Sequence, residues 1–137
     1  MPVKLGLMSF AHMHMGSYAS AVNQIPEAEM VGIADHDLDR AKKMAETFNS
    51  KAFASYEELL KQDIDAVIVA SENIHHRELT IMAAEAGKHV LCEKPIATTI
   101  ADAQEMIDVC KRNNVQLMTA FPCRFSPAMV RVKELVD

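Results

Sequence analysis

The chain has 137 residues, of which 50% are hydrophobic and 24% are charged. That composition fits a single globular domain with a buried core and excludes a disordered segment. Fourteen Lys and Arg residues against 19 Asp and Glu residues give a net charge of −5. This acidic balance argues against a nucleic-acid partner, because affinity for a phosphate backbone comes mainly from clustered cations.

The sequence predicts neither a membrane-spanning segment nor a signal peptide. The longest apolar runs, such as Ala66–Ala70, are far shorter than the roughly 20 residues that span a bilayer. The first residues have no sustained apolar stretch of the kind a signal peptide needs. Cys92, Cys110 and Cys123 form no C-x-x-C pair, which is typical of free thiols in a reducing compartment. We therefore expect a cytoplasmic protein with no membrane partner.

Strands and helices are predicted to alternate along the whole chain. The apolar runs that predict strands are Val3–Met8, Met30–Ala34, Ala66–Ala70, His89–Cys92 and Val115–Phe121. A first helix is predicted over Met13–Asn23, with Met13 and Met15 buried, and a last helix over Pro127–Val136. Strands that alternate with helices of this length indicate right-handed βαβ units. The predicted fold is α/β, with a doubly wound parallel sheet.

Capping residues predict where the central helices begin and end. Asp37, Ser55 and Thr99 are typical N-cap residues, and Ser55 forms a capping box with the acid three positions later. Asn49 and Gly87 are predicted to end helices in the left-handed conformation.

Five turns follow predicted strands, and all of them carry polar side chains. They are Ser9–His14, Asp35 with His36, Ser71–His76, Glu93–Pro95 and Phe121–Phe125. Open α/β sheets bind ligands beyond the carboxyl ends of their strands. We therefore expect these turns to cluster along one edge of the sheet.

The first turn stands where a dinucleotide-binding fold carries G-x-G-x-x-G, but it contains no glycine. Ser9 offers a hydroxyl to a phosphate, Ala11 is the smallest replacement for the middle glycine, and His14 departs most from the motif. Backbone amides at the start of a helix bind anions whatever the side chains are. We predict cofactor-binding roles in this turn for Ser9, Phe10, Ala11, His12 and Met13.

Asp35 ends the second predicted strand, where an acid accepts hydrogen bonds from an adenosine ribose. A carboxylate there repels a 2′-phosphate, and no Arg or Lys adjoins it in the sequence, so NAD is favoured over NADP. His36 softens that preference and is included among the cofactor-binding residues. The alternative is that Asp35 only ends the strand or caps the next helix.

The stretch Glu85–Pro95, which reads E-A-G-K-H-V-L-C-E-K-P, together with Asn73-x-x-His76, resembles the glucose-fructose oxidoreductase / inositol dehydrogenase (Gfo/Idh/MocA) family. The similarity runs from about Val3 to the end and matches that family's N-terminal half. It implies a Rossmann-type NAD(P)-binding domain over residues 1–121. Residues 122–137 then begin a connection to a second domain, which is absent from this chain and supplies most substrate contacts.

The resemblance also implies residue roles around the nicotinamide. Lys94 matches the family's catalytic lysine, whose ammonium stabilises an alkoxide or relays a proton; the alternative is a solvated or ion-paired lysine. Glu93 is expected to line the nicotinamide ribose, and the Lys94–Pro95 bond is often cis in the family. The other residues expected to contact the nicotinamide half of the cofactor are Ser71, Asn73, His76 and Arg124.

Three hypotheses of function follow. The first is an oxidoreductase that transfers hydride between nicotinamide and a secondary alcohol of a sugar or polyol, with the general acid/base in the second domain and a homo-oligomer as the intact protein. The second is a non-catalytic nucleotide- or sugar-sensing module. The third is a Zn²⁺ site made of His12, His14, His75 and His76 near Glu72. Because adjacent histidines rarely point the same way, we expect no metal.

Overall fold

The computed structural model describes all 137 residues. Its strands are β1 (Val3–Met8), β2 (Ala28–Ala34), β3 (Ala52–Phe53), β4 (Ala66–Val69), β5 (His89–Cys92) and β6 (Leu117–Thr119). Its helices are α1 (Met15–Val22), α2 (Leu38–Thr47), α3 (Tyr56–Leu60), α4 (His76–Glu85), α5 (Ile100–Arg112) and α6 (Pro127–Val136). Two 3₁₀ turns cover Asn73–His75 and Pro122–Phe125.

The six strands form one sheet in the order β3-β2-β1-β4-β5-β6, and every pair is parallel. The predicted doubly wound α/β fold is confirmed. Strand order reverses at β1, which pairs with β2 on one side and β4 on the other. The ligand crevice of such a sheet lies outside the carboxyl ends of the strands at this reversal.

The core lies on both faces of the sheet because neighbouring residues of a strand point to opposite sides. On β1, Leu7 packs with Ile33 and Ala19 on one face, while Met8 packs with Val67 and Leu79 on the other. Helices therefore cover both faces of the sheet. None of the helices is long and apolar enough to cross a membrane.

The predicted helix ends are confirmed by their hydrogen bonds and dihedral angles. The carboxylate of Asp37 accepts hydrogen bonds from the N–H groups of the first turn of α2, and the hydroxyls of Ser55 and Thr99 cap α3 and α5 in the same way. Asn49 and Gly87 have φ angles of 52° and 72°, which place both in the left-handed region.

Some boundaries differ from the prediction. The first helix begins at Met15 rather than Met13, so Met15 is buried as expected while Met13 is 85% exposed. The expectation that Met13 is buried was therefore wrong, since the longer turn carries it outward. The last strand covers only Leu117–Thr119, and the two-residue strand β3 was missed because so short a segment has no detectable periodicity.

Candidate functional site

Four of the five polar turns meet at the carboxyl ends of the strands. We call them the polar edge: Ser9–His14, Asp35 with His36, Ser71–His76, and Glu93–Pro95. Backbone hydrogen bonds join them to neighbouring strands, from Ser9 N to Ala34 O at 2.8 Å and from His12 N to Ala70 O at 3.0 Å. The predicted clustering is confirmed for these four turns.

The fifth turn follows β6 at the same edge of the sheet, next to β5, but it makes no hydrogen bond to the other four turns. Arg124 is exposed in the 3₁₀ turn after β6, and its guanidinium lies 5.7 Å from the ring centroid of Phe121. None of its hydrogen bonds or ion pairs reaches the other four turns. Its predicted contact with the nicotinamide stays a prediction.

The first turn adopts a glycine-like backbone without glycine. Ser9 is buried with a φ of 71°, a left-handed conformation that non-glycine residues rarely adopt. Its hydroxyl accepts the Ala11 N–H at 3.1 Å, while the Phe10 N–H is donated to Asp35 at 2.6 Å. Met13 N–H is the amide of this turn that has no partner within the chain. The Met13 N–H, two residues before α1, is therefore available to donate a hydrogen bond to an anion.

Asp35 is buried, and its carboxylate is saturated with hydrogen bonds. Arg40 donates from Nε at 2.8 Å to Oδ2 and from Nη2 at 2.6 Å to Oδ1. The N–H groups of Phe10 and Asp37 complete the set. Burial alone raises the pKa of Asp35, but the Arg40 guanidinium and these N–H donors hold that pKa below its ordinary value.

No Arg or Lys adjoins Asp35 in the sequence, but the inference that its carboxylate lacks a cationic partner was wrong. Arg40 lies five positions later in the sequence, and the first turn of α2, capped by Asp37, brings its guanidinium back to the end of β2. Because α2 begins so soon after β2, the spacing of a capped helix start could have revealed the pair. The sequence-based argument for NAD over NADP loses its main support.

His36 lies exposed beside this ion pair. Its Nε2 is 3.4 Å from Arg40 Nη2, and its Nδ1 is 3.4 Å from Asp35 Oδ1. The His36 N–H is donated to the hydroxyl of Tyr56 at 3.1 Å. Sequence reasoning missed Tyr56, which comes from α3 and carries no motif.

Glu93 is the second buried carboxylate of the polar edge. Its Oε1 accepts hydrogen bonds from the Tyr18 hydroxyl at 2.6 Å and faces His14 Nδ1 at 2.7 Å, while Oε2 accepts the Lys94 N–H at 2.6 Å. Burial raises the pKa of Glu93, and the Tyr18, His14 and Lys94 donors outweigh it and lower that pKa. Burial and the neighbouring Glu93 carboxylate raise the pKa of Tyr18, which keeps its proton.

These contacts make Glu93 a link between the first turn, α1 and β5. Its side chain has no exposed surface, so a direct contact with a ribose requires the network to open. His14, which departs most from the glycine motif, connects this hydrogen-bond network to the turn after β1. Sequence reasoning also missed Tyr18, one turn further along α1.

Ser71 and His76 are buried in the same way. His76 Nδ1 lies 2.8 Å from Pro95 O, and its Nε2 lies 3.3 Å from Ser71 O. The imidazole therefore ties the turn after β4 to the turn after β5. Asn73 is exposed at the start of the 3₁₀ turn and is accessible to a ligand. The predicted contacts of all three with the nicotinamide stay predictions.

Lys94 is the exposed cation of the polar edge. Its side chain forms no ion pair and no hydrogen bond within the chain, while its backbone N–H is fixed by Glu93. The Lys94–Pro95 peptide bond is cis, as expected. The alternative was a solvated or an ion-paired lysine. The structure excludes the ion pair and agrees with the solvated lysine as well as with the catalytic one, so the catalytic role of Lys94 stays a prediction.

The parallel sheet, the reversal of strand order at β1 and the polar turns beyond it define a dinucleotide-binding domain of the Rossmann type. Comparison with known proteins gives the family. Residues 5–121 match the profile of the Gfo/Idh/MocA oxidoreductase family with an NAD-binding Rossmann fold, and the chain belongs to that family.

Several relatives have assigned activities. The chain is 37% identical to a trans-1,2-dihydrobenzene-1,2-diol dehydrogenase of Xenopus tropicalis, over 100% of this chain and 42% of that protein. It is 37% identical to a myo-inositol 2-dehydrogenase of Thermotoga maritima, over 88% of this chain and 36% of that protein. The chain thus spans well under half the length of these relatives.

A solved structure is similar along the whole chain. A 3-ketoreductase from Actinomadura kijaniata, in complex with NADP and TDP-benzene, superposes with a TM-score of 0.91 at 31% identity. The match covers 100% of this chain and 44% of that protein. An NAD(P)-binding domain is the shared feature, and NADP in this neighbour leaves the choice between the two coenzymes open.

Proposed function

We propose that the chain is the coenzyme-binding domain of an oxidoreductase that transfers hydride between a nicotinamide and a secondary alcohol of a sugar or polyol. The observation that carries this proposal is the unpaired, exposed ammonium of Lys94 at the carboxyl end of β5, beside the crevice where strand order reverses. Dehydrogenases among the relatives support it. No feature of the polar edge favours the sensing module over the enzyme.

The residues of the first turn fit a dinucleotide. The free Met13 N–H and the partial positive charge at the start of the eight-residue helix α1 suit a pyrophosphate. The bound nicotinamide would supply the hydride chemistry. The protein's own contribution is to hold the coenzyme and to present Lys94.

Lys94 is proposed to hold the reacting oxygen of the substrate. An ammonium beside an alcohol oxygen stabilises the negative charge that grows when the hydroxyl proton leaves. The Glu93 carboxylate accepts a hydrogen bond from the Lys94 backbone N–H at 2.6 Å, and this bond fixes the position of the Lys94 backbone. Lys94→Met in the full-length protein is expected to lower kcat by about 100-fold or more, with little change in coenzyme affinity.

For the coenzyme, we propose that the adenosine end accepts NADP(H) as well as NAD(H). Asp35 uses only two of the five N–H donors of Arg40, and the Nη1 group makes no hydrogen bond within the chain. The ion pair cancels the charge with which a lone carboxylate would repel a 2′-phosphate. Asp35 thereby holds a guanidinium in place for that phosphate.

Titration of the chain with NADH and NADPH, followed by coenzyme fluorescence, tests this proposal. Arg40→Ala is expected to weaken NADPH binding by about tenfold to 100-fold, the worth of a charge-assisted hydrogen bond. NADH affinity of the same variant reports whether the fold is intact and is expected to change by less than about threefold. Arg131→Ala, which removes an exposed cation on α6, is the matched control. NADPH binding that is unaffected by Arg40→Ala would overturn the assignment.

We further propose that residues 122–137 connect residues 1–121 to a second domain. None of the residues of α6 is buried. Large apolar side chains are exposed along α6 and the preceding turn: Phe121, Phe125, Met129, Val130, Val132, Leu135 and Val136. An apolar surface of this kind favours burial by another part of the protein. Substrate contacts and a homo-oligomer interface are proposed to lie in that second domain.

A further inference from the structure

Two imidazoles and a buried carboxylate meet where the first turn faces β5. His12, His14 and Glu93 each place one potential ligand atom within 4.8 Å of those of the other two. The rings of His12 and His14 pack edge to face with centroids 4.6 Å apart. The cofactor-binding role predicted for this turn, His12 included, depends on its backbone amides, so it leaves the two imidazole side chains without a role.

The charge of Glu93 is unusual because no Lys or Arg side chain pairs with it. The side chain is fully buried, and its partners are the Tyr18 hydroxyl, the His14 ring and the Lys94 backbone N–H. Isolated ionised carboxylates are costly to bury, and proteins normally pair them with cations or use them to coordinate metals. The corresponding carboxylate of Asp35 has such a partner in Arg40.

Two of the donors to Glu93, the Tyr18 hydroxyl and the Lys94 N–H, would remain in place around an ion. Oε2 accepts only the Lys94 N–H, so one of its lone pairs is free for a ligand. Tyr18 would then act as the hydrogen-bond donor that orients a ligating carboxylate. His14 is 39% exposed at its side chain, so its ring has room to move.

We propose that His12, His14 and Glu93 form a binding site for a divalent transition metal of the Zn²⁺ class. Two imidazoles and one carboxylate suit zinc, whereas Mg²⁺ and Ca²⁺ prefer oxygen ligands alone. Tetrahedral coordination with bonds of about 2.1 Å places ligand atoms about 3.4 Å apart. The ligand atoms must therefore shift by about 1 Å. The His14 Nδ1 hydrogen bond to Glu93 opens as its proton moves to Nε2. The hydrogen bond that His12 Nδ1 accepts from the His14 N–H at 3.2 Å is lost too, because His12 binds the ion either through Nδ1 or through Nε2 after the Nε2 proton has moved to Nδ1.

The proposal departs from the expectation of no metal, and the structure shows why the expected ligand set fails. His76 is buried against Pro95 O, and His75 Nδ1 faces Glu78 at 2.7 Å. These two histidines therefore do not join the pair of the first turn. Glu93, from the turn after β5, takes their place.

Calorimetric titration of the EDTA-treated chain with ZnCl₂ tests the site. Cys123→Ser is the background for every variant, because Cys123 is an exposed thiol that could bind zinc itself. We expect one ion per chain with a dissociation constant of about 1 μM. His12→Ala and His14→Ala are each expected to weaken binding by at least about tenfold.

Controls separate this site from other groups and from loss of folding. His75→Ala removes a half-buried histidine near the polar edge and is expected to change zinc affinity by less than about twofold. An excess of MgCl₂ is expected not to compete. Thermal melting without metal shows whether each variant still folds. Tyr18→Phe removes only a hydrogen bond to the Glu93 carboxylate, so it perturbs the site less than Glu93→Gln does.

Binding weaker than about 100 μM, or equal losses in the His14 and His75 variants, would overturn the proposal. Unchanged affinity in a folded Glu93→Gln variant would overturn it too. Because zinc is titrated without coenzyme, failure here leaves NADH and NADPH binding as a separate measurement.

Discussion

Asp35 and Glu93 are both buried carboxylates at the carboxyl ends of strands, yet the protein compensates their charges differently. Asp35, after β2, is held by a bidentate guanidinium and two backbone N–H groups. Glu93, after β5, has a phenol, an imidazole and one backbone N–H. The first arrangement is a formal ion pair, whereas the second holds a buried carboxylate without a Lys or Arg side chain.

Removal of the guanidinium is expected to have the largest effect on stability. Arg40→Ala leaves Asp35 buried with only its N–H donors, and truncation of one partner of a buried pair costs about 3 kcal/mol of unfolding free energy. Urea unfolding measures this loss. Asp35→Asn combined with Arg40→Ala is expected to cost less than the sum of the single changes. Additive losses would show that the two side chains are not coupled.

Removal of the phenol tests the other carboxylate. Tyr18→Phe deletes a hydrogen bond to a buried charged group and is expected to cost about 2 kcal/mol. Tyr56→Phe is the matched control, because the Tyr56 hydroxyl accepts a hydrogen bond from the neutral backbone N–H of His36. Loss of that hydrogen bond is expected to lower the unfolding free energy by about 1 kcal/mol. Equal losses in the two variants would mean that Glu93 carries no charge in the folded protein.

Acid is expected to weaken both arrangements in the same direction. The folded-state pKa values of Asp35 and Glu93 lie below their ordinary values of 3.8 and 4.5. Their contributions to stability are therefore complete above about pH 5 and are lost as the pH falls through the folded-state pKa values. One proton limits the slope from each group to about 1.4 kcal/mol per pH unit.

The acid profile of Arg40→Ala sharpens the comparison. Since the guanidinium is a main cause of the low pKa of Asp35, the variant is expected to lose less stability between pH 5 and pH 3 than the wild type. Tyr18→Phe should also lose less stability between pH 5 and pH 3 than the wild type, because the Tyr18 hydrogen bond lowers the pKa of Glu93. Urea unfolding at a series of pH values measures both, and profiles parallel to the wild type in both variants would contradict the assignment.

Among the side chains that hold the two carboxylates, the His14 imidazole is expected to have the smallest effect. His14 is part-exposed, so water replaces its hydrogen bond to Glu93 after His14→Ala, and the loss is expected to be about 1 kcal/mol. Arg77→Ala, which breaks an exposed ion pair between α4 and α5, should cost less than about 0.5 kcal/mol. Equal losses of unfolding free energy in His14→Ala and Arg40→Ala would contradict the expected difference between the two carboxylates.

Periodicity and capping in the sequence determined most of the fold. Continuous apolar runs such as Ala66–Val69 predict buried parallel strands, and Asp37, Ser55 and Thr99 mark helix starts through hydrogen bonds made within four residues. These signals are local, so a single sequence contains them. The predicted strand ends placed Lys94 in a polar turn, and the family resemblance added its catalytic role.

Tertiary structure decided how the charges of the site are compensated. Arg40 reaches Asp35 only because α2 starts directly after β2, and Tyr18 and His14 reach Glu93 across 75 and 79 positions of sequence. The Arg40 pair is local, but the two contacts with Glu93 depend on which strands are neighbours in the sheet, and the hydrophobic pattern of a chain does not encode them. The sequence by itself determined that acids would stand at the ends of β2 and β5; only the folded sheet decided which donors would hold them.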